Sequence, residues 1–234
     1  MGLNIIIHKN ILKMIIKDIF TDSSISPFLG FKGGTAALFF YDLNRFSVDL
    51  DFDLLEEDKA AQVFKSIENI LKTYGIVKDA RKKRYSLFFL LSYSNKIIAD
   101  QNIKLEINLR NFGSRFEVKQ YLGIQMQVMV REDMVANKLI AMHERIGKTN
   151  RDIYDVWFFL QNNWPINKKI IEQRSKIKYT DFLQKCIDDL NKINDKNILS
   201  GIGELVNENQ KIWIKNKLKN ETIFLLRLAL NNEE

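Results

Sequence analysis

The chain has 234 residues, of which 46% are hydrophobic and 28% charged, and its 36 Lys and Arg against 29 Asp and Glu give a net charge of +7. This content suffices for a packed core and excludes a mainly disordered chain, and with two prolines and ten glycines it excludes collagen-like and linker sequences. A single cysteine, Cys186, excludes an internal disulfide and a thiolate metal cluster. No apolar stretch has the length of a bilayer span, and Met1 to Lys17 lacks a signal-peptide core, so we expect a soluble, cytoplasmic protein.

The first half of the chain alternates between helical and strand patterns. Apolar spacing predicts a helix over Asn4 to Phe20, and turn residues bracket a short predicted strand over Phe28 to Phe31. The short apolar segment Thr35 to Leu43 predicts a helix, and the strict alternation of Val48 to Leu54 predicts a strand with one buried face. Further predicted elements are a helix over about Glu57 to Tyr74 and strands over Ser86 to Ser94, Ile103 to Arg110 and Ile124 to Val130.

From Arg131 onward the apolar residues recur at helical spacing only. We therefore predict a mixed α/β domain over residues 1–130 and a helical domain over residues 131–234. The predicted helices of the second half are Met134 to Arg145, Arg151 to Gln161, Tyr179 to Ile193 and Leu205 to Leu230.

A glycine turn followed by an acidic strand is the strongest chemical pattern in the chain. Gly33 and Gly34 allow backbone amides to approach a phosphate, and a helix that begins at Thr35 adds partial positive charge and a hydroxyl donor. Asp49 and Asp51 lie two residues apart on a strand, so both carboxylates share one face and are placed to hold Mg²⁺. An ordinary turn and a solvated strand face are the alternatives, but like charges on one strand favour a bound cation.

The same residues carry a family resemblance. The stretches Phe31 to Leu38, FKGGTAAL, and Arg45 to Phe52, RFSVDLDF, resemble the opening signature of the AbiEii/AbiGii toxin family of nucleotidyltransferases, within the DNA polymerase β-like superfamily. A later family signature, a Lys on one helix and an Arg-Asp-x-x-Asp element on the next, resembles Ala136 to Leu139, with Lys138, and Arg151 to Val156. The pieces occur in the family's order.

The resemblance implies an α+β fold, in which a nucleotidyltransferase mixed sheet with flanking helices precedes a helical C-terminal half that closes over the active-site cleft. It also implies a metal-dependent enzyme that uses Mg²⁺ and an NTP and transfers a nucleotide to an acceptor. The family's members are toxins of bacterial toxin–antitoxin or phage-defence systems. An RNA acceptor, with the 3′ end of tRNA as one candidate, and a separate antitoxin protein are therefore the expected partners.

A third carboxylate and a set of later polar residues complete the predicted site. Glu106 is the single acid of its predicted strand. It completes the metal site or accepts the proton of an attacking hydroxyl, or alternatively it pairs with Lys104 or Arg110. Lys138 lies on an otherwise apolar helix, where it either extends to solvent or, as the resemblance favours, holds the triphosphate. Asp152 is expected to orient Lys138 or contact metal, whereas Asp155 is expected only to cap its helix or to pair with Arg151.

A single lysine and a run of four basic residues are further candidate phosphate contacts. Lys32 precedes the glycines, although a lysine at a strand end usually faces water. The densest basic run, Arg81, Lys82, Lys83 and Arg84, is either a solvated loop or a surface for a polynucleotide backbone. The pI near 9.3 agrees with a polyanionic partner, and equally with a genome composition that favours Lys and Asn throughout. A nucleotide-binding interaction module without transferase activity is the alternative function.

Overall fold

The structure is a computed structural model that describes residues 4–95 and 98–232. The chain forms two compact units. The first, here the sheet unit, contains the residues up to Asp42 together with Phe46–Asn111 and Arg115–Met129. The second, here the helical unit, contains Leu43–Arg45, Phe112–Ser114 and the residues from Val130 onward.

The sheet unit is built on one mixed sheet of seven strands with the order β3-β4-β5-β2-β1-β7-β6. Two neighbouring pairs are parallel, β1 with β7 and β2 with β5, and all other neighbours are antiparallel. The strands are β1 (Leu29–Lys32), β2 (Leu50–Leu54), β3 (Ile76–Lys82), β4 (Ser86–Asn95), β5 (Ile98–Asn108), β6 (Phe116–Tyr121) and β7 (Ile124–Met129). The helices of this unit are α1 (Ile5–Thr21), α2 (Gly33–Phe40) and α3 (Ala60–Lys72).

Strand alternation divides the sheet into an apolar face and a polar face. Phe52 of β2 lies opposite Phe31 of β1 and Ile107 of β5, and all three side chains are fully buried. Two helices cover this face, since Phe20 of α1 contacts the Phe31 ring and Phe64 of α3 contacts Phe89 of β4. The residues between these positions point to the other face, which therefore carries the acidic side chains of β2.

The helical unit is formed by α4 (Arg131–Arg145), α5 (Arg151–Gln161), α6 (Lys168–Ser175), α7 (Tyr179–Lys192), α8 (Glu208–Trp213) and α9 (Lys219–Asn231). Its aromatic residues pack on α5, where the Phe159 and Trp164 rings stack at 4.3 Å and Trp157 contacts Trp213 at the same centroid distance. None of the helices within the described residues is long and apolar enough to cross a membrane.

The expected fold, a mixed sheet with flanking helices followed by a helical half, is confirmed. Two strands, β3 and β6, escape sequence prediction because both are edge strands with largely exposed side chains, so neither shows a buried alternation. The short helix α6 escapes because only Ile170 and Ile171 of its eight residues are buried.

Two predicted helix boundaries also differ. The helix expected from Thr35 begins at Gly33 and ends at Phe40. The helix expected over Leu205 to Leu230 instead begins at Glu208, where Asn207 and Gln210 form a capping box, and a π-type segment, Ile214–Leu218, separates α8 from α9.

The apolar face of the sheet provides a stability prediction. Leu105 is fully buried between Leu50 and Phe89, its register partners on both neighbouring strands. Leu105→Ala is expected to lower the free energy of unfolding by about 2–5 kcal/mol, because it leaves a cavity in a packed core. Urea unfolding measures the change, with Val118→Ala on exposed β6 as the control. An unchanged urea midpoint for Leu105→Ala would contradict this packing.

Candidate active site

The polar face of the sheet brings the predicted acidic residues together. On this face Asp51 of β2 lies between Lys32 of β1 and Glu106 of β5 in register. The next residue of β2 on this face, Asp53, lies opposite Asn108. The parallel pairing of β2 with β5 is therefore what places Glu106 beside Asp51, although 55 residues separate them in the sequence.

The glycine turn lies directly against Asp51. Gly33 has a φ of +79°, which favours glycine, and a Cβ atom built there would lie 2.6 Å from Asp51 Oδ2. The helix α2 begins at this residue, and the side chain of its N-cap residue, Lys32, makes no capping hydrogen bond. The first-turn amides of α2 are thus oriented beside a carboxylate, in the arrangement that binds phosphate together with a cation.

The segment that leads into β2 is held by hydrogen bonds from α1 and α2. Thr35 is 1% exposed, and its hydroxyl donates to the carbonyl of Asp49 and contacts Ser47 Oγ at 3.0 Å. His8 Nε2 donates to the carbonyl of Val48 at 3.0 Å. We expected the Thr35 hydroxyl to donate to a phosphate, but the buried side chain instead fixes the backbone of Asp49.

His8 is itself oriented by a buried tyrosine. The His8 Nδ1 atom lies 2.5 Å from the hydroxyl of Tyr93 on β4. Because the Val48 carbonyl can only accept, Nε2 carries the proton and Nδ1 accepts from Tyr93 in the neutral ring. Burial lowers the pKa of His8 and raises the pKa of Tyr93 to about 12. Sequence analysis missed this residue because its contacts to Val48 and Tyr93 span 40 and 85 residues.

A lysine stands between two of the carboxylates. Lys104 Nζ lies 3.9 Å from Asp49 Oδ2 and 3.4 Å from Glu106 Oε2. Glu106 also accepts a hydrogen bond of 2.8 Å from Ser86. Partial burial would raise the pKa of Glu106, but the Ser86 hydroxyl and the charges of Lys104 and Lys83 bring it below its usual value. The predicted pairing of Glu106 with Lys104 is therefore present.

The donor set on this face fits a hard divalent cation. Asp49 and Asp51 offer carboxylate oxygens, and Lys104 shows that this position attracts positive charge. Within the described ranges, no three His, Cys, Asp or Glu side chains are grouped so as to hold a metal ion by themselves. Mg²⁺ commonly takes one or two carboxylates and completes its shell with water and substrate phosphates, which suits a pair of aspartates.

Lys32 is engaged by its neighbours on the sheet. Its ammonium forms an ion pair with Asp53 Oδ1, and Asn108 Nδ2 donates to the same oxygen at 2.7 Å. The ion pair and the hydrogen bond hold the lysine along the polar face, one strand away from Asp51. Its expected role as a phosphate contact stays a prediction.

The basic run lies partly in a strand and partly in the turn that follows it. Arg81 and Lys82 are the last residues of β3, whereas Lys83 and Arg84 lie in the turn that joins β3 to β4. The four residues are thus part of a hairpin, and their role in nucleic-acid binding stays a prediction.

The helical unit contains a buried network of ionic side chains. Lys138 Nζ on α4 lies 2.9 Å from Asp152 Oδ1 and 2.7 Å from Asp155 Oδ2 on α5. Arg45 binds Asp155 through two hydrogen bonds of 2.6 and 2.7 Å. Arg145 Nη2 lies 2.9 Å from Asp152 Oδ2, close enough for an ion pair although not aligned as a hydrogen bond. Both carboxylates are fully buried.

This network corrects two expectations. Burial alone would raise the pKa of Asp155, but Arg45 and Lys138 hold it well below its usual range, so the carboxylate stays charged. We expected Asp155 only to cap its helix or to pair with Arg151, but it is a centre of the network. One of the two alternatives for Lys138, that it extends to solvent, is also wrong, because its side chain is only 14% exposed and bridges two carboxylates. The expected contact of Asp152 with Lys138 is present.

The comparisons with known proteins agree with this arrangement. A family model described as "Nucleotidyl transferase AbiEii toxin, Type IV TA system" matches residues 15–220. The chain belongs to the AbiEii nucleotidyltransferase toxin family. This match includes the glycine turn, the acidic strand and both signature helices of the helical unit. No curated protein matches the chain.

Solved structures share the fold of this AbiEii family member at low sequence identity. JHP933 from Helicobacter pylori is 20% identical with a TM-score of 0.63, over 99% of this chain and 94% of that protein. The nucleotidyltransferase toxin MenT4 from Mycobacterium tuberculosis is 15% identical with a TM-score of 0.59, over 92% of this chain and 82% of that protein. The fold therefore extends over nearly the whole chain.

The buried ionic network predicts a stability cost for removing its lysine. Lys138→Ala is expected to lower the free energy of unfolding by about 3–5 kcal/mol, because two buried carboxylates lose a shared cation. Lys138→Met, which keeps the volume and removes the charge, is expected to cost a similar amount. Urea unfolding measures both, with the exposed Lys148→Ala as control. Equal midpoints for wild type and Lys138→Ala would show that the network adds no stability.

His8 predicts a pH dependence of stability. Its lowered pKa means that the unfolded chain takes up a proton below about pH 6.5 while the folded chain does not. Stability is therefore lost as the pH falls from about 6.5 through the depressed pKa, by at most about 1.4 kcal/mol per pH unit. His8→Gln is expected to remove this part of the slope. Parallel pH curves for the two proteins, from thermal unfolding at pH 7 to 5, would contradict the prediction.

Proposed function

We propose that this AbiEii family member transfers a nucleotide from an NTP to an RNA acceptor, with release of pyrophosphate. The observation that carries the proposal is the approach of the Gly33 turn to Asp51 on the polar face of the sheet. A phosphate-binding turn and a metal-binding carboxylate in contact are what phosphoryl transfer requires, since catalysis depends on positioning and on charge neutralisation.

The triphosphate is bound, in this proposal, by the turn and the start of α2. Gly33 and Gly34 let the chain approach the phosphates, and the amide of Thr35 belongs to the first turn of the helix. Lys32 is the adjacent cation. Lys138 is proposed as a further phosphate-binding residue, and Asp152 supports it by orienting the ammonium through its 2.9 Å hydrogen bond.

Asp49 and Asp51 are the proposed ligands for Mg²⁺, with Glu106 beside them. An ion held by these two carboxylates would supply positive charge to neutralise the phosphates. Thr35 and His8 keep the backbone of the Asp49 segment in place. Glu106 is proposed to accept the proton of the attacking hydroxyl, and its lowered pKa keeps it in the ionised form that this role needs.

The family supplies the biological setting of the proposal. As a toxin of a type IV toxin–antitoxin system, the protein is expected to act in the cytoplasm, in phage defence or growth control. Its expected protein partner is a cognate antitoxin, which counteracts its toxicity. The net charge of +7 favours a polyanionic acceptor, and we propose RNA, with the 3′ end of tRNA as one candidate. The alternative, a nucleotide-binding module without transfer, predicts NTP binding without labelling of any acceptor.

Removal of either aspartate is expected to abolish transfer. The assay incubates the protein with Mg²⁺ and each radiolabelled NTP in turn, together with total RNA and total protein, and identifies the labelled macromolecule. Asp49→Ala and Asp51→Ala are expected to lose labelling and growth inhibition by several orders of magnitude, because the ion loses its ligands. Asp58→Ala, an exposed aspartate of the same unit, is the matched control and is expected to retain both.

Three outcomes separate the readings. Labelled RNA that disappears in both aspartate variants, with unchanged unfolding midpoints, supports the proposal. Full growth inhibition by the doubly substituted protein would overturn the enzymatic function. NTP binding without any labelled acceptor for wild type would favour the interaction module.

A further inference from the structure

The basic run forms two separate surfaces because strand alternation divides it. Arg81 of β3 lies opposite Phe88 of β4, on the same face as Glu106, which is the next register partner of Phe88. Lys82 lies opposite the buried Leu87 and therefore faces the other side of the sheet. Its ammonium lies 5.3 Å from the Phe64 ring of α3.

The cations on the Glu106 side lie over aromatic rings. Lys83 Nζ lies 3.8 Å from the centre of the Phe88 ring, and the Arg81 guanidinium lies 5.5 Å from the same ring. Arg84 lies 4.9 Å from the ring of Tyr85. Arg110, which follows β5, approaches this second ring at 5.2 Å. Tyr85 is 45% exposed, so its ring and the neighbouring guanidinium groups are accessible to a ligand.

The charge of this surface is strongly positive. Four of the named residues, Arg81, Lys83, Arg84 and Arg110, are cations. Two acids adjoin them: Asp79, which pairs with Arg81 at 2.9 Å, and Glu106 on the neighbouring strand. The combination of the exposed Tyr85 ring, planar guanidinium groups and excess positive charge matches single-stranded RNA. The bases of single-stranded RNA stack on rings and guanidinium planes, while its phosphates bind cations. A duplex hides its base faces and offers only its phosphates.

We infer that the hairpin surface formed by Arg81, Lys83, Arg84, Tyr85 and Phe88 binds the single-stranded end of the acceptor RNA and leads it along the polar face toward Glu106. The inference rests on the proposed function, because it assigns a surface to the proposed acceptor. Lys82 does not belong to this surface. The strand register supports a path of the RNA toward Glu106, since Phe88 and Glu106 are opposite each other on neighbouring strands. The charge of Lys83 also acts on the Glu106 carboxylate.

The test measures binding of a fluorescent single-stranded RNA of about ten nucleotides, and of a duplex of equal length, by anisotropy at several salt concentrations. Tyr85→Ala is expected to weaken single-strand binding by about 5- to 150-fold, the range for loss of one base–aromatic stack, and to change duplex binding little. Tyr85→Phe keeps the ring and is expected to bind like wild type. Because Tyr85 is exposed, unfolding midpoints are expected to stay unchanged.

Lys82 and Lys83 form a matched pair of equal charge on opposite faces. Lys83→Ala is expected to reduce the slope of log K against log salt for single-stranded RNA by about 0.7, the value for one lost phosphate contact. Lys82→Ala is expected to leave both the affinity and the slope at wild-type values. Equal effects of the two substitutions would show that only net charge matters and would overturn the inference.

The remaining outcomes distinguish failure of the inferred RNA-binding surface from failure of the proposed nucleotide transfer. If Tyr85→Ala and Lys83→Ala bind RNA as well as the wild-type protein does, the inference is overturned. Labelling of RNA by the wild-type protein would in that case still support the proposed transfer. Absence of RNA binding and RNA labelling for wild type overturns both. Competition by polyglutamate as strong as by RNA, unaffected by Tyr85→Ala, indicates a surface for an acidic polypeptide and also overturns the inference.

Discussion

The pairing of β2 with β1 on one side and β5 on the other is the constraint on which the candidate site depends. Because side chains alternate along each strand, this register buries Phe31, Phe52 and Ile107 on one face and places Asp51 and Glu106 together on the other. A shift of one residue would exchange the two sets. The hydrophobic core therefore fixes the position of the carboxylates, and the chemistry of the polar face depends on the packing behind it.

The contacts around Asp49 compensate both its negative charge and the backbone carbonyls of its segment. Asp49 and Asp51 repel each other unless positive charge lies nearby, and the segment before β2 has irregular backbone, whose carbonyl groups need hydrogen-bond donors. Lys104 compensates part of the charge, while Thr35 and His8 satisfy the carbonyls of Asp49 and Val48. The residues closest to the site thus hold the backbone rigid, and the acidic side chains stay on the surface of the sheet.

Much of the fold follows from the sequence, and the site follows in part. The alternation of Val48 to Leu54 and the Gly33 turn are local patterns, so the strand, the turn and the two aspartates were predictable from a few adjacent residues. Edge strands such as β3 carry no buried alternation, and contacts such as His8 with Val48 or Arg45 with Asp155 join residues 40 and 110 positions apart. Such contacts depend on tertiary packing, which periodicity does not encode. The same holds for Asp155: the contact of Lys138 with Asp152 was expected, but the buried pairing of Asp155 with Lys138 and Arg45 was not.

The path of the chain gives the helical unit an unusual dependence on an early segment. Leu43–Arg45 lies between α2 and β2 in sequence, yet it belongs to the helical unit, where Arg45 binds Asp155 and the Asn44 carbonyl accepts a hydrogen bond from Tyr154. A fragment that begins at Val130 would therefore contain Asp155 without its bidentate partner. During synthesis the guanidinium leaves the ribosome more than 100 residues before the carboxylate, so the helical unit completes its interior only after a previously made segment joins it. The helical unit is consequently compact, but its assembly requires a segment that precedes β2 in the sequence.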